Sequence, residues 1–240
     1  MMNILVTGGA SGLGRAVVME MAKDKDNSIL FTYCHSEDTA FRLSEEYENV
    51  KGIKVDFTNP DSVDAFTEYL ASEQVDVLVN NAYIGNPVGT HFHKTNPNDY
   101  LIAFNDNVLP FIKITQACIT GMRKRKFGKI VNIVTSYLID VPPTGFSVYT
   151  TTKACIRQLS KSISKEYGRF NITSNCILPD YMNTGFGHVE DFQLEQMKST
   201  HPLKELLTPL EVAEVVCHLI HSSQQLNGVE IPINSAQHMI

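Results

Sequence analysis

Two side chains spaced one helical turn apart, the phenol of Tyr149 and the ammonium of Lys153, have the chemistry to move a proton. Residues four positions apart lie on the same face of a helix, so the spacing predicts that the two groups are neighbours. A nearby positive charge favours the phenolate and is expected to lower the tyrosine pKa from its usual value of about 10. Tyr149 could then act as a general acid towards a carbonyl oxygen, or as a general base towards a hydroxyl group. Thr135 and Ser136, just upstream, offer hydroxyls that could hold the substrate oxygen.

A glycine-rich turn follows the first predicted strand and leads directly into a helical stretch, reading TGGASGLG over residues 7–14. Glycine lets the backbone approach a pyrophosphate, and the free N–H groups of a helix start attract its negative charge. A purely structural turn is the alternative, but the position between strand one and helix one favours cofactor binding. The residues expected to contact a dinucleotide here are Thr7, Gly8, Ser11, Gly12, Leu13, Gly14 and Arg15.

Further candidate residues stand at two later strand ends. Asp56 and Phe57 follow the third predicted strand, and Asn80, Asn81 and Ala82 follow the fourth. In open parallel sheets the carboxyl ends of strands near the switch point form the ligand crevice. Taken alone, Asp56 could cap a helix and Asn80 could satisfy buried backbone groups. Their joint placement predicts that they border the cofactor.

Short apolar runs alternate with helical segments along the chain. Strands are predicted at Asn3–Thr7, Ser28–Tyr33, Val50–Asp56, Val75–Asn80, Lys129–Thr135 and Asn171–Leu178, and helices at Leu13–Lys23, Ser62–Ser72 and Thr151–Tyr167. Buried strands separated by helices indicate an α/β fold, a doubly wound parallel sheet in a three-layer arrangement. We expect one domain over residues 1–240, in which the stretch Met182–Leu207 interrupts the alternation and borders the substrate.

The composition excludes several classes of protein. Of the 240 residues 43% are hydrophobic and 19% are charged, which is typical of a globular protein. A formal net charge of −6 argues against a nucleic-acid-coating protein. No signal peptide and no apolar run of about 20 residues is seen, so we expect a cytoplasmic protein without membrane contact. The 5 cysteines indicate free thiols, and the histidines form no recognisable metal arrangement, so no metal is expected.

The ordered set of motifs resembles the short-chain dehydrogenase/reductase family, in the compact single-domain branch that contains 3-oxoacyl-carrier-protein reductases. The matching residues are TGGASGLG at 7–14, Asp56, NNA at 80–82, Asn107, Thr135-Ser136, YTTTK at 149–153, Pro179 and Thr184. The resemblance implies a Rossmann-like fold and hydride transfer between NAD(H) or NADP(H) and a carbonyl or secondary alcohol. It also implies a homodimer or homotetramer.

The resemblance assigns roles by position. Tyr149 would be the general acid or base, and Lys153 would hold the nicotinamide ribose while tuning the tyrosine. Asn107 matches the asparagine that supports a water relay to the lysine, and Asp56 matches the residue beside the adenine. Pro179, Met182 and Thr184 match the segment that contacts the nicotinamide amide and the phosphates.

The active hydroxyl is ambiguous under this resemblance. Counting along the strand from Asn132 favours Thr135, whereas counting back from Tyr149 favours Ser136. We favour Ser136 and keep Thr135 as the alternative.

The sequence departs from the family pattern near both ends of the expected cofactor. Tyr83 stands where glycine usually follows Asn-Asn-Ala, and Asp180 stands where glycine usually follows Pro179. These departures motivate an alternative function, a catalytically idle NADP(H)-binding redox sensor or subunit partner. The intact Tyr149 and Lys153 pair favours an enzyme, because a binding module has no need of a tuned phenol.

The choice of cofactor depends on the end of the second strand. An acidic residue about 20 positions past the glycines would bind the ribose of NAD, but residues 31–36 contain no carboxylate. His35, Ser36 and Arg15 could contact a 2′-phosphate, so NADP(H) is predicted, and Glu37 and Asp38 keep NAD(H) as the alternative. The substrate, small or carrier-bound, stays open between a 3-oxoacyl thioester, a sugar or polyol, and a secondary-metabolite ketone.

Overall fold

The computed structural model of the chain describes residues 1–87, 89–186 and 189–237. Within these ranges seven strands form one sheet: β1 (Asn3–Val6), β2 (Ser28–Tyr33), β3 (Val50–Lys54), β4 (Val77–Asn80), β5 (Gly128–Ile133), β6 (Ile172–Pro179) and β7 (Glu230–Ile233). The α-helices are α1 (Gly12–Ala22), α2 (Glu37–Glu46), α3 (Pro60–Leu70), α4 (Pro97–Ala103), α5 (Leu109–Arg125), α6 (Ser147–Tyr167), α7 (Asp191–Thr200) and α8 (Pro209–His221). A π-helical turn, Phe104–Val108, joins α4 to α5.

All neighbouring strands are parallel, in the order β3-β2-β1-β4-β5-β6-β7. The chain builds outward from β1 to β3 and then returns to place β4 on the other side of β1. This reversal is the switch point of a doubly wound sheet, where ligand crevices form at the carboxyl ends of the strands. The predicted α/β fold with a doubly wound parallel sheet is therefore confirmed. At the switch point, the glycine turn that follows β1 lies next to the residues that follow β4.

Helices cover both faces of the sheet. Successive residues of a strand point to opposite faces, and the two apolar clusters follow that rule. Ile4 and Val6 of β1 pack in a cluster that includes α1, α2 and α8, whereas Leu5 packs in a cluster that includes α3 and α5. The predicted three-layer arrangement follows from this alternation.

The bounds of several elements differ from the sequence prediction. β7 was not predicted, because Pro232 lies inside it and proline normally argues against a strand. Proline is tolerated here because β7 is the edge strand and pairs only with β6. The helix predicted from Thr151 begins at Ser147, so Tyr149 is helical. Of the stretch Met182–Leu207, residues 191–200 form α7, and residues 187 and 188 lie outside the described residues.

The glycine turn after β1 is folded so tightly that side chains are disfavoured at several of its positions, among them Gly8 and Gly14. Gly8 has a φ of 70°, in the left-handed region that side chains disfavour. A Cβ added to Gly14 would lie 2.1 Å from the carbonyl oxygen of Gly8. The first turn of α1 therefore packs directly on the backbone of the preceding turn.

We predict that Gly14→Ala destabilises the protein by about 1–3 kcal/mol, because the new methyl group must displace backbone. The matched control is Gly121→Ala inside α5, where the nearest atom to an added Cβ is the end of the Arg125 side chain at 3.0 Å. This control is expected to be neutral or stabilising, since alanine favours helix. Urea unfolding of both variants measures the difference, and equal free energies of unfolding would contradict the packing described here.

Candidate active site

Helix α6 carries Tyr149 and Lys153, the predicted proton-transfer pair, and Lys153 ties this helix to the sheet. Lys153 Nζ donates a hydrogen bond of 2.8 Å to the carbonyl oxygen of Ile133, the last residue of β5. Tyr149, one turn earlier in α6, is 9% exposed, and Lys153 is 4% exposed. The bond therefore fixes the start of α6 against the carboxyl end of β5 and places both side chains inside the protein.

An aromatic group encloses the pair. The ring of Tyr83 packs edge-on against Tyr149, with centroids 5.1 Å apart, and against Phe186, with centroids 5.6 Å apart. Lys153 Nζ lies 5.1 Å from the centroid of Tyr83 and 6.0 Å from that of Tyr149. The faces of aromatic rings attract cations, so Tyr83 helps to stabilise the desolvated ammonium group of Lys153.

Burial dominates the proton affinities of this group. It lowers the pKa of Lys153 to about 8. Burial also raises the pKa of Tyr149, and the neighbouring Thr135 hydroxyl only partly offsets the rise. The prediction that Lys153 lowers the tyrosine pKa is thus wrong for this structure, because the phenol is desolvated and the lysine nitrogen is held by the Ile133 carbonyl.

The two candidate hydroxyls have different partners. Thr135 precedes a 3₁₀ turn, Ser136–Leu138, and its Oγ1 accepts a hydrogen bond of 3.3 Å from the N–H of Tyr137. Ser136 Oγ donates to Asp180 Oδ1 at 3.1 Å, and Ser136 is 1% exposed. Thr135 therefore caps a turn next to the phenol, whereas Ser136 is joined to a carboxylate that follows β6.

Thr7 and Asn81 hold the glycine turn in place. Thr7 Oγ1 accepts hydrogen bonds from the N–H groups of Asn81, at 3.0 Å, and Ala82, at 3.1 Å. Asn81 Nδ2 donates to the carbonyl oxygens of Thr7, at 3.0 Å, and Gly8, at 3.2 Å. The segment after β4 and the segment after β1 are thereby locked together across the switch point.

The segment after β6 reaches the same turn. A Cβ added to Gly12 would meet Thr184 Cβ at 3.3 Å, and the Thr184 N–H donates to the Met182 carbonyl at 2.9 Å. Pro179, which begins this segment, is the buried last residue of β6. The predicted nicotinamide-side residues and the predicted phosphate-side glycine are therefore brought together in one crevice.

The start of α1 is built to receive an anion. Ser11 is the exposed N-cap residue, and within the described chain its side chain makes no capping hydrogen bond. The first N–H groups of the helix are then available to a ligand, and the helix dipole favours negative charge there. Gly8 and Gly14 allow α1 to begin directly against the preceding turn, and Arg15 is exposed on the first turn of the helix. A dinucleotide pyrophosphate fits this arrangement.

The expected adenosine side lies at the ends of β2 and β3. Asp56 Oδ1 accepts hydrogen bonds from the Thr58 hydroxyl, at 2.7 Å, and the Thr58 N–H, at 2.9 Å. These bonds lower the pKa of Asp56, and the charge of nearby His35 adds to the effect. His35 is exposed and Ser36 is half-buried just before α2. The structure thus brings the residues from the two strand ends close to one another.

Three predicted contact residues have side chains that are engaged in the interior of the protein. Leu13 and Phe57 are buried members of the two apolar clusters, so their side chains serve packing. Asn80 Nδ2 donates to Asn132 Oδ1 at 2.9 Å and to Thr115 Oγ1 at 3.3 Å. Asn80 therefore belongs to a buried polar network between β4, β5 and α5.

Sequence reasoning missed that network. Asn132 Nδ2 donates to Ser160 Oγ, at 2.9 Å, and to Ser174 Oγ, at 3.1 Å, which links β5 to α6 and β6. The available signal was a polar residue inside an otherwise apolar strand, as Asn132 is in β5. Buried polar groups need such partners, so this network orients α6 on the sheet.

Asn107 lies in the π-helical turn before α5. Its Oδ1 accepts a hydrogen bond of 2.6 Å from the Ile84 N–H, and its Nδ2 donates to the carbonyl oxygens of Ile84, at 3.2 Å, and Ala103, at 3.0 Å. Asn107 and Lys153 both line a small cavity of about 10 Å³. That is the space of about one water molecule.

The described residues contain neither a group of metal-binding side chains nor a membrane-spanning helix. Across residues 1–87, 89–186 and 189–237, no group of three or more His, Cys, Asp and Glu side chains could hold a metal ion. In the same part of the chain, no helix has the length and apolar character needed to span a bilayer.

The lowered pKa of Lys153 predicts a pH dependence of stability. Between pH 8 and its ordinary pKa of 10.5, the unfolded lysine binds a proton that the folded lysine has released, so stability should rise with pH. Relative to Lys153→Met, which lacks the titrating group, the wild type should gain about 1–2 kcal/mol between pH 7 and pH 9.5. Urea unfolding of both proteins across this range measures the gain. A difference that stays constant or falls would contradict a buried lysine of low pKa.

Comparisons with known proteins agree with this geometry. Residues 2–193 match the family model described as short chain dehydrogenase. The chain is 27% identical over 241 residues to the 3-oxoacyl-(acyl-carrier-protein) reductase FabG of Vibrio harveyi, covering 98% of this chain and 97% of the relative. It is 30% identical over 244 residues to the acetoacetyl-CoA reductase of Shinella zoogloeoides, covering 98% of each.

A solved structure extends the similarity to the whole fold. YwfH, an NADPH-dependent reductase involved in bacilysin biosynthesis, superposes with a TM-score of 0.89 at 22% identity, covering 100% of this chain and 99% of YwfH. That degree of identity supports the shared fold alone. The family match covers well over half of the chain and includes the glycine turn and the Tyr149–Lys153 pair. The chain therefore belongs to the short-chain dehydrogenase family of oxidoreductases.

Proposed function

We propose that the chain is an NADP(H)-dependent reductase of ketones, or dehydrogenase of the corresponding secondary alcohols. The observation that carries the proposal is the buried Tyr149–Lys153 pair, which lies at the carboxyl end of β5, the strand that Thr135 and Ser136 follow. Tyr149 and Ser136 come from different elements, α6 and the turn after β5, and both are buried. Their placement suits two hydrogen bonds to one substrate oxygen.

The proposed chemistry divides between the cofactor and the protein. A bound reduced nicotinamide would supply the hydride, as it does in this class of enzyme. Tyr149 would give its phenolic proton to the carbonyl oxygen as negative charge develops there. Ser136 would donate a second hydrogen bond to that oxygen, and Thr135 is the alternative donor. In the oxidative direction the phenolate of Tyr149 would accept the proton of the alcohol.

Lys153 would supply the charge that makes this proton transfer reversible. Burial outweighs this charge while the phenol is neutral, so the pKa of Tyr149 is raised; the ammonium would act on the phenolate left after proton donation, whose negative charge it attracts. With a pKa of about 8, Lys153 can also release a proton near neutral pH. The cavity shared with Asn107 has room for one water molecule, which supports the expected relay from the lysine.

The cofactor would lie along the crevice formed at the switch point. The N–H groups at the start of α1 would bind its pyrophosphate, and Arg15, His35 and Ser36 would contact its 2′-phosphate. Asp56 would border the adenine, and Pro179, Met182 and Thr184 would border the nicotinamide. The shape of the glycine turn would depend on Thr7, Asn81 and Gly14. The residues that pack beneath the turn would be Leu13, Phe57, Asn80 and Ala82.

The preference for NADP(H) is supported by charge. The carboxylate of Glu37, which follows Ser36, is paired with Lys54 Nζ at 3.2 Å. The described end of β2 thus presents His35 and Ser36 before the first carboxylate, Glu37, is reached. YwfH, which shares the fold, is called NADPH-dependent. NAD(H) stays as the alternative cofactor.

The substrate class and the surroundings of the enzyme are also proposals. The named relatives act on 3-oxoacyl and acetoacetyl thioesters, so a thioester ketone is one candidate. A sugar or polyol and a secondary-metabolite ketone are the others, with residues 182–207 forming the substrate side. We expect a cytoplasmic homodimer or homotetramer. Leu101, Ile102 and Phe104, exposed apolar residues of α4 and the π-helical turn, support an interface.

The proposal predicts distinct losses at the three side chains around the substrate oxygen. Tyr149→Phe should lower kcat/KM for ketone reduction by at least about 10³-fold, because the proton donor is lost. Ser136→Ala should lower it by about 10²-fold, the effect of removing one donor to a developing oxyanion. Thr135→Val should change it less, since that hydroxyl caps a turn. NADPH oxidation with 3-oxoacyl thioesters, keto-sugars and diketones measures each.

NADPH binding is the control for these variants and should be unchanged within about twofold, as followed by cofactor fluorescence. A larger loss in Thr135→Val than in Ser136→Ala would exchange the roles of the two hydroxyls. Tight NADPH binding without turnover of any compound, in wild type and Tyr149→Phe alike, would support the idle sensor or subunit partner instead.

A second prediction concerns the 2′-phosphate. NADPH should bind more tightly than NADH, and Ser36→Asp should weaken NADPH binding by about tenfold or more, because the new carboxylate repels the phosphate. Ser44→Asp, which adds the same charge to an exposed position of α2 farther along the helix, is the matched control. Fluorescence titration measures both. A wild-type preference for NADH, or equal effects of the two variants on NADPH, would refute this assignment.

A further inference from the structure

Asp180 places a carboxylate against the proposed substrate-binding hydroxyl. It follows the last residue of β6, and its Oδ1 accepts the 3.1 Å hydrogen bond from Ser136 Oγ. The Asp180 N–H donates to the carbonyl oxygen of Ile233, at 3.0 Å, so the neighbouring strand β7 holds its backbone. Ser136 is almost fully buried, whereas Asp180 is half-buried. These two hydrogen bonds hold the carboxylate of Asp180 at the edge of the site.

A cavity of about 170 Å³ opens beside this carboxylate, and its wall combines apolar side chains with a few polar ones. Asp180 lines it together with the phenols of Tyr137 and Tyr181 and the imidazole of His201. Burial raises the pKa of Tyr137 to about 12, and the negative charge of Asp180 adds to that rise. The negative charge of Asp180 therefore acts on the phenol of Tyr137, which lines the same cavity.

His201 contributes an unsatisfied polar group to this wall. It is 5% exposed, and its Nδ1 accepts a hydrogen bond of 3.2 Å from the Leu203 N–H. The neutral ring then carries its proton on Nε2, and within the described chain that buried atom has no hydrogen-bond partner. Buried donors are normally satisfied, so this one points to a polar ligand. The cavity wall offers both an acceptor, Asp180, and a donor, His201.

The Ser136–Asp180 bond competes with catalysis. A serine hydroxyl has one proton, and Ser136 cannot give it to Asp180 and to a carbonyl oxygen at the same time. A substrate that brings its own hydrogen-bond donor to Asp180 would release the Ser136 proton for the carbonyl. A ketone without such a donor would have to break the bond and leave the carboxylate without a partner.

We propose that Asp180 is a specificity-determining residue that selects ketones carrying a hydroxyl or ammonium group on the carbon next to the carbonyl. This inference rests on the proposed reductase function and narrows its substrate class. A 3-oxoacyl thioester has no such donor, and a 2-oxo acid would set its own negative charge against Asp180. Among the classes left open above, hydroxyl-bearing ketones of the sugar and polyol type therefore fit best.

The test uses three ketones matched in size: hydroxyacetone, aminoacetone and 2-butanone. Wild type should show a kcat/KM at least about tenfold higher for one or both of the donor-bearing ketones than for 2-butanone. Asp180→Ala should remove most of that preference by changing the rates in opposite directions. It should lower kcat/KM for the donor-bearing ketones and raise it for 2-butanone, because Ser136 is freed.

Two more variants test whether the preference depends on the carboxylate of Asp180 in particular. Asp140→Ala removes an exposed carboxylate of the loop after β5 and should keep the wild-type preference. Asp180→Asn keeps an acceptor oxygen without charge, so it should retain the preference for hydroxyacetone and lose any preference for aminoacetone. NADPH binding, followed by fluorescence, should stay within about twofold of wild type in all three variants.

The outcomes separate this inference from the proposed function. If wild type reduces the ketones without preference, or if Asp180→Ala keeps the preference or lowers all three rates alike, the role of Asp180 is overturned and the reductase stands. If NADPH binds but neither these ketones nor the wider panel is reduced, the proposed function itself is overturned, and this inference with it.

Discussion

The site depends on a lysine that is buried without a carboxylate partner among the described residues. Removing an ammonium from water is costly, and Lys153 meets that cost with the Ile133 carbonyl oxygen at 2.8 Å and the face of the Tyr83 ring. The same bond fixes α6 to the end of β5, which determines where Tyr149 lies. Burial in turn lowers the pKa of Lys153 to about 8. One constraint thus sets both the position of the phenol and the proton affinity beside it.

The rest of the fold serves to assemble three strand ends around that pair. The switch point between β1 and β4 lets Thr7 and Asn81 lock the glycine turn, and β6 delivers Thr184 to the same crevice. Tyr83 replaces a glycine that is common in the family. The replacement has a physical reason, because the ring of Tyr83 stabilises the buried ammonium of Lys153. The other departure, Asp180, accepts a hydrogen bond from Ser136, the hydroxyl proposed to bind substrate. The two unusual residues therefore flank the proposed reacting centre.

Sequence reasoning predicted the doubly wound sheet, because hydrophobic runs and glycine turns are local signals. It also predicted the Tyr149–Lys153 pair, whose spacing needs only the geometry of one helix. It failed on the tyrosine pKa, which depends on desolvation and on where the lysine nitrogen finds its acceptor. The Ser136–Asp180 bond joins residues 44 positions apart, and the Asn80–Asn132 bond joins residues 52 apart. Such pairings follow from strand order and register, which a single sequence does not specify.

The central claim is that the crevice and the buried pair act together in hydride transfer to a carbonyl carbon. The most direct measurement supplies NADPH that carries deuterium in the transferable position of its nicotinamide and examines the product by mass spectrometry. We predict an alcohol that carries one deuterium on the former carbonyl carbon, formed by wild type and lost in Tyr149→Phe although NADPH still binds. Bound NADPH that transfers no deuterium to any ketone of the panel would contradict the account.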